Sequence, residues 1–262
     1  MTFAEATRLD PDGDRLRGEI PRGWDIMGNA NGGYLLALAA RGATTLAERP
    51  DPVTITGHFL RPAQAGPVSI RGEILKEGKR FATVLVRLAG KPGPLVVAVA
   101  TVGELSEEPG LVIHTAPPPQ LPPPDECIPI EPTDTFPPPF VGRIDLRLNP
   151  ADIGGAVGSP TGEASMTGWF RLRNGEPLGT HALVLATDSF PPTTFNLDIP
   201  QAWVPTIELT THIRGRPAPG WLLCRFTTRY ISDGFLEEDG EVWDETSRLV
   251  AQSRQLALVP RG

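Results

Sequence analysis

Asp188 is the residue of this chain whose surroundings best suit acid–base chemistry. It follows the apolar run 182–186 and precedes Phe190-Pro191-Pro192. A carboxylate among such groups is desolvated, which raises its pKa and makes it a stronger base. The same position also fits an ordinary acid at the end of a helix, and the surroundings alone favour that second interpretation.

A second candidate site is the glycine-rich segment 28–33. It leads into the proline-free run 34–40, which is rich in alanine and leucine and predicts a buried helix that ends near Glu48. The first N–H groups of a helix have no partner within it and attract anions. Asn31, Gly32 and Gly33 could therefore hold a carbonyl oxygen or a phosphate. A tight turn with an asparagine cap explains the same residues equally well.

Composition limits the class of function. The 262 residues carry a net charge of −7, which argues against a nucleic-acid partner. No window comes near the ~20 apolar residues of a membrane span, and the N-terminus does not have the pattern of a secretory signal. Cys127 and Cys224 are too few for a disulfide scaffold, so we expect reduced thiols and a cytoplasmic protein.

The sequence contains an internal repeat. Residues 52–59 resemble residues 206–213, and residues 78–81 resemble residues 232–235, both at a separation of 154. A shared separation for strand-like and turn-like segments predicts two copies of one fold. His58 and His212 occupy equivalent places in the copies, so a structural role explains them better than catalysis. Pro52 stands opposite Thr206, and under a shifted helix alignment Arg41 falls near the place of Asp188. The first copy therefore lacks both Asp188 and Thr206, and we expect one site per chain.

Other catalytic patterns are missing from the sequence. His114 and His181 stand alone, and no His-x-x-x-His or Cys-x-x-Cys spacing supports a metal. No Gly-x-Ser-x-Gly elbow supports a serine hydrolase. We therefore expect neither a metal nor a cofactor.

The pattern of elements predicts an α+β fold in which each copy has a helix followed by antiparallel strands. In the first copy we expect strands at 8–10, 16–20, 53–60, 68–75, 81–88 and 95–102. In the second copy a helix begins over 181–187, and we expect strands at 145–148, 166–172, 206–213, 222–231, 241–245 and 249–258. Eleven of the thirty prolines lie between Pro117 and Pro139 and predict a stiff connector. The predicted units are residues 1–112, the linker 113–141 and residues 142–262.

These features together resemble a known family. The helix followed by His58-Phe59-Leu60-Arg61-Pro62, and in the second copy Asp188, Pro205–Glu208 and Arg248–Gln255, resemble the double-hotdog acyl-CoA thioesterases of the thioesterase II group. The resemblance covers nearly the whole chain outside the linker. It implies two tandem hotdog units, each a long helix wrapped by an antiparallel sheet.

The resemblance also assigns roles. It implies that Asp188, on the second helix, Thr206 and Gln255 hold the water that attacks the thioester. Two departures from the family pattern are Glu208, where an aspartate is common, and Leu256-Ala257, where an acidic residue and a glycine are common. Gln252 lies close enough to compete with Gln255. Taken alone, Thr206 and Gln255 fit ordinary strand residues.

The sequence therefore predicts an enzyme that hydrolyses acyl-CoA to a free acid and coenzyme A without a covalent intermediate. Two alternatives stay open, namely a non-catalytic acyl-CoA or fatty-acyl binding protein and a hotdog enoyl-CoA hydratase or dehydratase. Because hotdog sheets pair edge to edge, we also expect a homo-oligomer, a dimer or larger. Five basic residues are candidates for the coenzyme A phosphates: Arg61, Lys79, Arg80, Arg214 and Arg216.

Overall fold

The computed structural model describes residues 1–259 except 92, 107, 109 and 135. Within this part of the chain the α-helices are α1 (Phe3–Ala6), α2 (Gly32–Leu46) and α3 (Thr180–Ala186). The strands are β1 (Asp10–Asp12), β2 (Arg15–Ile20), β3 (Asp25–Ile26), β4 (Asn29–Ala30), β5 (Asp51–Phe59), β6 (Gly66–Glu77), β7 (Phe81–Ala89), β8 (Pro94–Gly103), β9 (Ile128–Ile130), β10 (Ile144–Leu148), β11 (Ser165–Leu172), β12 (Thr206–Ile213), β13 (Leu222–Thr227), β14 (Ile231–Ser232), β15 (Phe235–Asp244) and β16 (Leu249–Leu258).

Fourteen of these strands form one antiparallel sheet. Their order is β1-β2-β6-β7-β8-β5-β12-β16-β15-β13-β11-β10-β9, with β14 attached to β15. In this order six strands of the N-terminal half come first, and they join the strands of the C-terminal half where β5 pairs with β12. Each half thus contributes its own antiparallel sheet, and the two sheets continue into one another through a single pair of strands.

The pairing of β5 with β12 brings equivalent residues of the two sequence copies opposite each other. Thr56 is directly opposite Thr210, and their hydroxyl oxygens are 2.9 Å apart. These two residues are 154 positions apart, the separation of the repeat. A residue that faces its own equivalent lies on a twofold axis. The predicted duplication is therefore confirmed, and the halves are related by an approximate twofold rotation through this pair.

Helix α2 forms where the sequence predicts it. It contains four leucine or tyrosine side chains and six alanines or glycines that are buried, so it packs against the sheet on nearly every side. The Asn31 side chain caps its first turn by accepting from the Tyr34 N–H at 2.8 Å. Helix α3 has only seven residues, so Asp188 lies two residues beyond its end rather than on the helix. The two helices run antiparallel, because Gly33 contacts Asp188 and Thr44 contacts His181.

Three strand predictions were wrong in their bounds. The first strand is Asp10–Asp12 instead of 8–10. Strand β13 ends at Thr227, after which residues 228–230 leave the ladder and β14 pairs separately with β15. Strand β15 begins at Phe235, six residues before the predicted start. The acidic run 237–239 resembles a solvated loop in sequence, but ion pairs with arginines keep it in the sheet.

The proline-rich segment contains a short strand. Strand β9 lies at the edge of the sheet, paired with β10. Its proline, Pro129, fits this place because an edge strand does not need every N–H. The carbonyl of Pro122 also accepts from the Trp169 indole N–H at 2.9 Å. The segment is thus docked onto the second half over part of its length. The expected boundaries of the units stay a prediction.

Two further findings concern the whole chain. Both cysteines are buried free thiols, as predicted. Among the described helices, none combines the length and apolar character needed to span a bilayer.

Asp51 ties the two halves together at the end of β5. Its carboxylate, almost fully buried, accepts hydrogen bonds from the Thr180 hydroxyl at 2.9 Å and the Leu105 N–H at 2.9 Å. It also pairs with the Arg216 guanidinium at 2.9 Å. Thr180 and Arg216 belong to the second half, so one carboxylate of the first half holds the start of α3 and the loop after β12.

Replacing Asp51 by alanine should lower the stability of the whole protein. The change removes the ion pair with Arg216 and the hydrogen bond of the Thr180 hydroxyl, and we expect a loss of about 2–4 kcal/mol in the free energy of unfolding. Urea denaturation measures it. Asp10→Ala removes an exposed ion pair with Arg8 and should change stability by less than about 0.5 kcal/mol. Equal effects for both variants would contradict the anchoring role of Asp51.

Candidate active site

The Asp188 carboxyl lies at the beginning of α2, the helix of the other half. Its Oδ2 accepts a hydrogen bond from the Gly33 N–H at 2.6 Å and a longer one from the Asn31 side-chain amide at 3.3 Å. The same amide donates to the Asp188 backbone carbonyl at 2.7 Å. No described residue donates a hydrogen bond to Oδ1. One carboxylate oxygen is thus fixed, and the other is free to bind a water or a substrate.

Asn31, Gly32 and Gly33 meet Asp188 as a group, so the structure brings together four of the residues singled out in the sequence. Asn31 uses its side-chain oxygen to cap the helix and its amide to hold Asp188. The Gly33 N–H is occupied by Asp188. The Gly32 N–H makes no hydrogen bond with the described part of the chain, so of the two glycines it is the one with a donor left for a substrate oxygen.

Both glycines are required by the closeness of the two halves. A Cβ atom on Gly32 would lie 2.8 Å from Asp188 Oδ2 and 3.3 Å from Phe59 Cζ. A Cβ atom on Gly33 would lie 2.8 Å from Asp188 Cβ and 2.9 Å from the Leu185 carbonyl oxygen. Cβ atoms essentially never approach other atoms so closely. Only glycine therefore lets the start of α2 touch the segment that carries Asp188.

The electrostatics of Asp188 favour a base that works near neutral pH. Burial raises the pKa of Asp188 to about 7, and the nearby Glu238 raises it as well. The hydrogen bonds from Gly33 and Asn31 act in the opposite direction, because they stabilise the carboxylate. Desolvation prevails, although Asp188 as a whole residue is only half-buried. The result is a carboxyl that exchanges its proton near neutral pH.

Gln255 faces the side of the sheet on which the helices lie. It is directly opposite Leu209 on β12 and Glu238 on β15. Residues opposite each other in antiparallel strands point to the same face. Leu209 is fully buried in the core, Gln255 is only 8% exposed, and Glu238 acts on Asp188. The Gln255 side chain thus points into the region that contains Asp188.

A β-bulge brings Thr206 to the same face. Thr206 is opposite Ala257, and Leu209 is opposite Gln255, so β12 has one extra residue between these pairs. Without the bulge, residues three apart on a strand point to opposite faces. With it, Thr206 shares the face of the buried Ala257, two residues along β16 from Gln255.

Phe59 places this end of β12 near the helix start. Gly57 is opposite Leu209, and the two strands are antiparallel. Phe59, two residues after Gly57, therefore lies at the end of β5 that is next to Thr206. The Phe59 ring approaches the Gly32 position to 3.3 Å. The start of α2, Asp188 and the first residues of β12 thus border the same region.

The two candidate glutamines point in opposite directions. Gln252 is three residues from Gln255 in β16, and its side-chain oxygen accepts from the exposed Arg214 at 3.1 Å. That contact places Gln252 on the outer face of the sheet. Gln255 is therefore the better candidate for a residue that acts with Asp188.

The histidines lie away from Asp188. His58 and His212 are exposed on the strand pair. His114 packs against the Trp243 ring, 4.9 Å between centroids. His181 is buried and bonded to Thr44 at 3.0 Å, and burial lowers its pKa to about 3. It is thus a neutral link between α2 and the start of α3.

The basic residues proposed for the coenzyme A phosphates differ in the contacts that their side chains already make. Arg216 is paired with Asp51, Arg214 with Gln252, and Arg80 lies over the Phe81 ring. Arg61 is exposed, makes no ion pair with the described residues, and follows Phe59 by two positions. Arg61 is therefore the best placed of the five for an anion at the mouth of the site.

Sequence reasoning missed Glu238 and Thr193. Glu238 accepts from the Thr193 N–H at 3.1 Å. The sequence did contain an indication that Glu238 points inward. It is separated by an even number of residues from the apolar Leu236 and Val242, both of which are buried, so all three lie on one face of the strand. The acidic neighbours of Glu238 hid that alternation. Thr193 lies in the short 3-10 helix Thr193–Asn196, for which the sequence had no recognisable pattern.

Comparison with known proteins identifies the family. The family model of the acyl-CoA thioesterase N-terminal domain matches residues 20–103, and that of the acyl-CoA thioesterase C-terminal domain matches residues 124–259. Two tandem units with this sheet and this helix contact define a double-hotdog protein. The chain belongs to the acyl-CoA thioesterase family, as the resemblance predicted, and the predicted fold class is confirmed.

Relatives and solved structures agree with this assignment. Uncharacterized proteins of Mycobacterium tuberculosis and Mycobacterium bovis are 30% identical to the chain and cover 94% of it and 91% of their own length. A candidate thioesterase II from Thermobifida fusca is 32% identical, with a TM-score of 0.89 over 100% of this chain and 98% of its own. A hot dog protein of unknown function from Alicyclobacillus acidocaldarius is 22% identical, with a TM-score of 0.86 over 99% and 98% of the two chains.

Substituting Gly33 by alanine should separate α2 from Asp188. The new Cβ atom meets a backbone carbonyl and the Asp188 Cβ, neither of which can yield easily, so we expect a loss of about 1–3 kcal/mol in unfolding free energy. Urea denaturation measures the loss. Gly179→Ala, at the start of α3, is the matched control because nothing lies within 4 Å of its Cβ position. A Gly33→Ala protein as stable as this control would show that the close approach is not required.

Proposed function

We propose that this chain hydrolyses acyl-CoA thioesters by direct attack of a water molecule that Asp188 activates. The observation that supports this most is the state of the Asp188 carboxyl. One of its oxygens is held by the Gly33 N–H, the other is free, and its pKa lies at about 7. A base with a pKa near the working pH combines a sufficient ionised fraction with sufficient proton affinity.

The reaction needs one base that also returns the proton. Asp188 Oδ1 takes a proton from the water as its oxygen attacks the thioester carbonyl carbon. The carbonyl becomes a tetrahedral oxyanion, which then expels the coenzyme A sulfur as the C–S bond breaks. The proton on Asp188 passes to the thiolate, so the products are a carboxylic acid and the free thiol, and Asp188 is ionised again.

The neighbours of Asp188 have the groups that this reaction requires. The Gly32 N–H, at the positive end of a 15-residue helix, is a donor for the oxyanion. Gln255 offers an amide donor and an acceptor, and Thr206 offers a hydroxyl. The strand register assigns both to one face of the sheet, which supports a role for both in orienting the water. Orientation of a bound nucleophile is itself a large part of catalysis.

The two alternative functions fit the site less well. An enoyl-CoA hydratase or dehydratase needs a histidine opposed to the aspartate, and none of the four histidines contacts Asp188. A non-catalytic acyl-CoA binding protein needs no buried base at all. Desolvating a carboxyl costs free energy, and a protein that only binds its ligand gains nothing from that cost.

Changing Asp188 to asparagine should abolish most turnover while the fold persists. Asparagine keeps the shape and an acceptor for the Gly33 N–H but cannot take a proton, so we expect kcat to fall about 10²–10⁴-fold. Release of free thiol from acyl-CoA measures it. For the parent, kcat/KM should rise with pH through an apparent pKa of about 7, because the carboxylate is the active form.

The same substitution should stabilise the protein at alkaline pH. A carboxyl whose pKa is raised on folding stabilises the native state at low pH, and this contribution is lost as pH rises from about 4 to 7. At pH 8 the free energy of unfolding of Asp188→Asn should therefore exceed that of the parent by about 2 kcal/mol, as measured by urea denaturation. Asp198→Asn, an exposed site, is the control and should change neither activity nor stability. Full activity in Asp188→Asn would overturn the proposal.

Arg61 should contribute to recognition of the coenzyme A phosphates. We expect Arg61→Ala to raise KM for acyl-CoA about tenfold with little change in kcat, since a charge-assisted hydrogen bond to phosphate contributes about 1.5–3 kcal/mol. KM for an acyl-pantetheine thioester, which has no phosphates, should stay unchanged. Lys79→Ala is the control at the distant β6–β7 turn. Equal losses with both substrates would contradict a phosphate contact.

A further inference from the structure

We propose that Glu238 is a second carboxyl of the active site, whose charge disfavours ionisation of Asp188 and thereby sets the pH range of hydrolysis. This inference rests on the proposed function of Asp188. Glu238 acts through Asp188 and is therefore a positioning residue rather than a catalytic one. Its place in the sheet, its hydrogen bonds and its lack of a cationic partner carry the argument.

Glu238 occupies an inward position between apolar residues. It lies opposite Gln255, which faces the helices. It also lies on the same face of β15 as Leu236 and Val242, both of which are buried. Thr193 holds it from the segment that follows Asp188, with its N–H 3.1 Å from Glu238 Oε2. Thr193 is five residues beyond Asp188. Glu238 on β15 is thus tied by a hydrogen bond to the segment that directly follows Asp188.

Glu238 differs from the other acids of its strand. Asp239 pairs with Arg229 and Arg254, and Glu241 pairs with Arg225 at 2.6 Å, all toward the outer face. Glu238 has no cationic partner among the described residues. A buried carboxyl without a counter-charge destabilises a protein unless it is neutral. Charge pairing therefore does not explain Glu238, whereas a role in holding a proton does.

Two carboxyls in one desolvated region do not ionise independently. Burial raises the pKa of Glu238, and hydrogen bonds from the Thr193 backbone and side chain lower it in part. Glu237, the adjacent residue, also raises the pKa of Glu238. Glu238 in turn raises the pKa of Asp188. Both carboxyls therefore keep a proton to a higher pH than a surface carboxyl does.

Among the described residues, the other side chains that face the pair carry no charge. Helix α2 presents Asn31 and the two glycines, β5 presents Phe59, and β12 and β16 present Leu209 and Gln255. The charged neighbours in β15 and β16 point outward and form ion pairs, as Asp239 does with Arg254 at 2.6 Å. Glu238 is accordingly the ionisable side chain that acts on Asp188.

Glu238→Gln tests the proposal because it keeps the shape and an acceptor for Thr193 but removes the charge. Without that charge the Asp188 carboxylate is less strongly disfavoured, so its pKa falls. We expect the acidic limb of the kcat/KM profile to move to lower pH by about one unit. We also expect kcat at pH 8 to fall severalfold, because the base is weaker. Glu241→Gln, the same charge change on the outer face of the same strand, should leave the profile in place.

A direct titration separates this inference from the proposed function. In protein with ¹³C-labelled aspartate carboxyls, the signal missing from Asp188→Asn identifies Asp188, and its midpoint should fall in Glu238→Gln but not in Glu241→Gln. If the parent releases no thiol, the proposed function fails. If the parent is active and neither the profile nor the midpoint moves in Glu238→Gln, only the role of Glu238 fails. Should Glu238→Gln not fold, Glu238→Asp, which withdraws the carboxyl, should move both readouts in the same direction by less, and unmoved readouts would overturn the role.

Discussion

The pairing of β5 with β12 is the contact on which the site depends. Because Thr56 faces its own equivalent Thr210, the two halves are locked in one register about an approximate twofold axis. This register sets α2 and α3 side by side and antiparallel. The start of α2 from one half then meets the end of α3 from the other. Neither half alone contains both the Asp188 carboxyl and the helix start that holds it.

The twofold arrangement creates two places where a carboxylate of one half approaches the start of a helix of the other half. At only one of them does the carboxylate lack a cationic partner among the described residues. At one, Asp188 approaches the start of α2 without a cation. At the other, Asp51 approaches the start of α3 and binds Thr180 and Arg216. Thr180, Leu105 and Arg216 occupy both oxygens of Asp51, so this carboxylate stabilises the fold and has no free oxygen to offer a water. A carboxylate at a helix start is thus used once as an anchor and once as a candidate base.

Local patterns in the sequence predicted those features that depend on neighbours along the chain. The repeat, the buried helix from Gly32 and the apolar setting of Asp188 are of this kind, and the resemblance to a family supplied the roles of Thr206 and Gln255. The contact of Gly33 with Asp188 spans 155 residues and follows only from the pairing of the halves. The face of Glu238 was missed because an acidic run resembles a solvated loop until cross-strand arginines are known.

The features that break local rules are concentrated at the same place. A bulge interrupts β12 immediately after Thr206, two acids have pKa values raised by burial, and two adjacent glycines begin a long buried helix. Each is unfavourable when considered for folding alone, since alanine favours a helix and an apolar residue favours a core position. Together they do what a regular strand and helix cannot. The bulge turns Thr206 inward, the glycines admit Asp188, and the second acid keeps the first protonated to a higher pH. Such local exceptions gathered in one region are typical of a site shaped by its reaction rather than by stability.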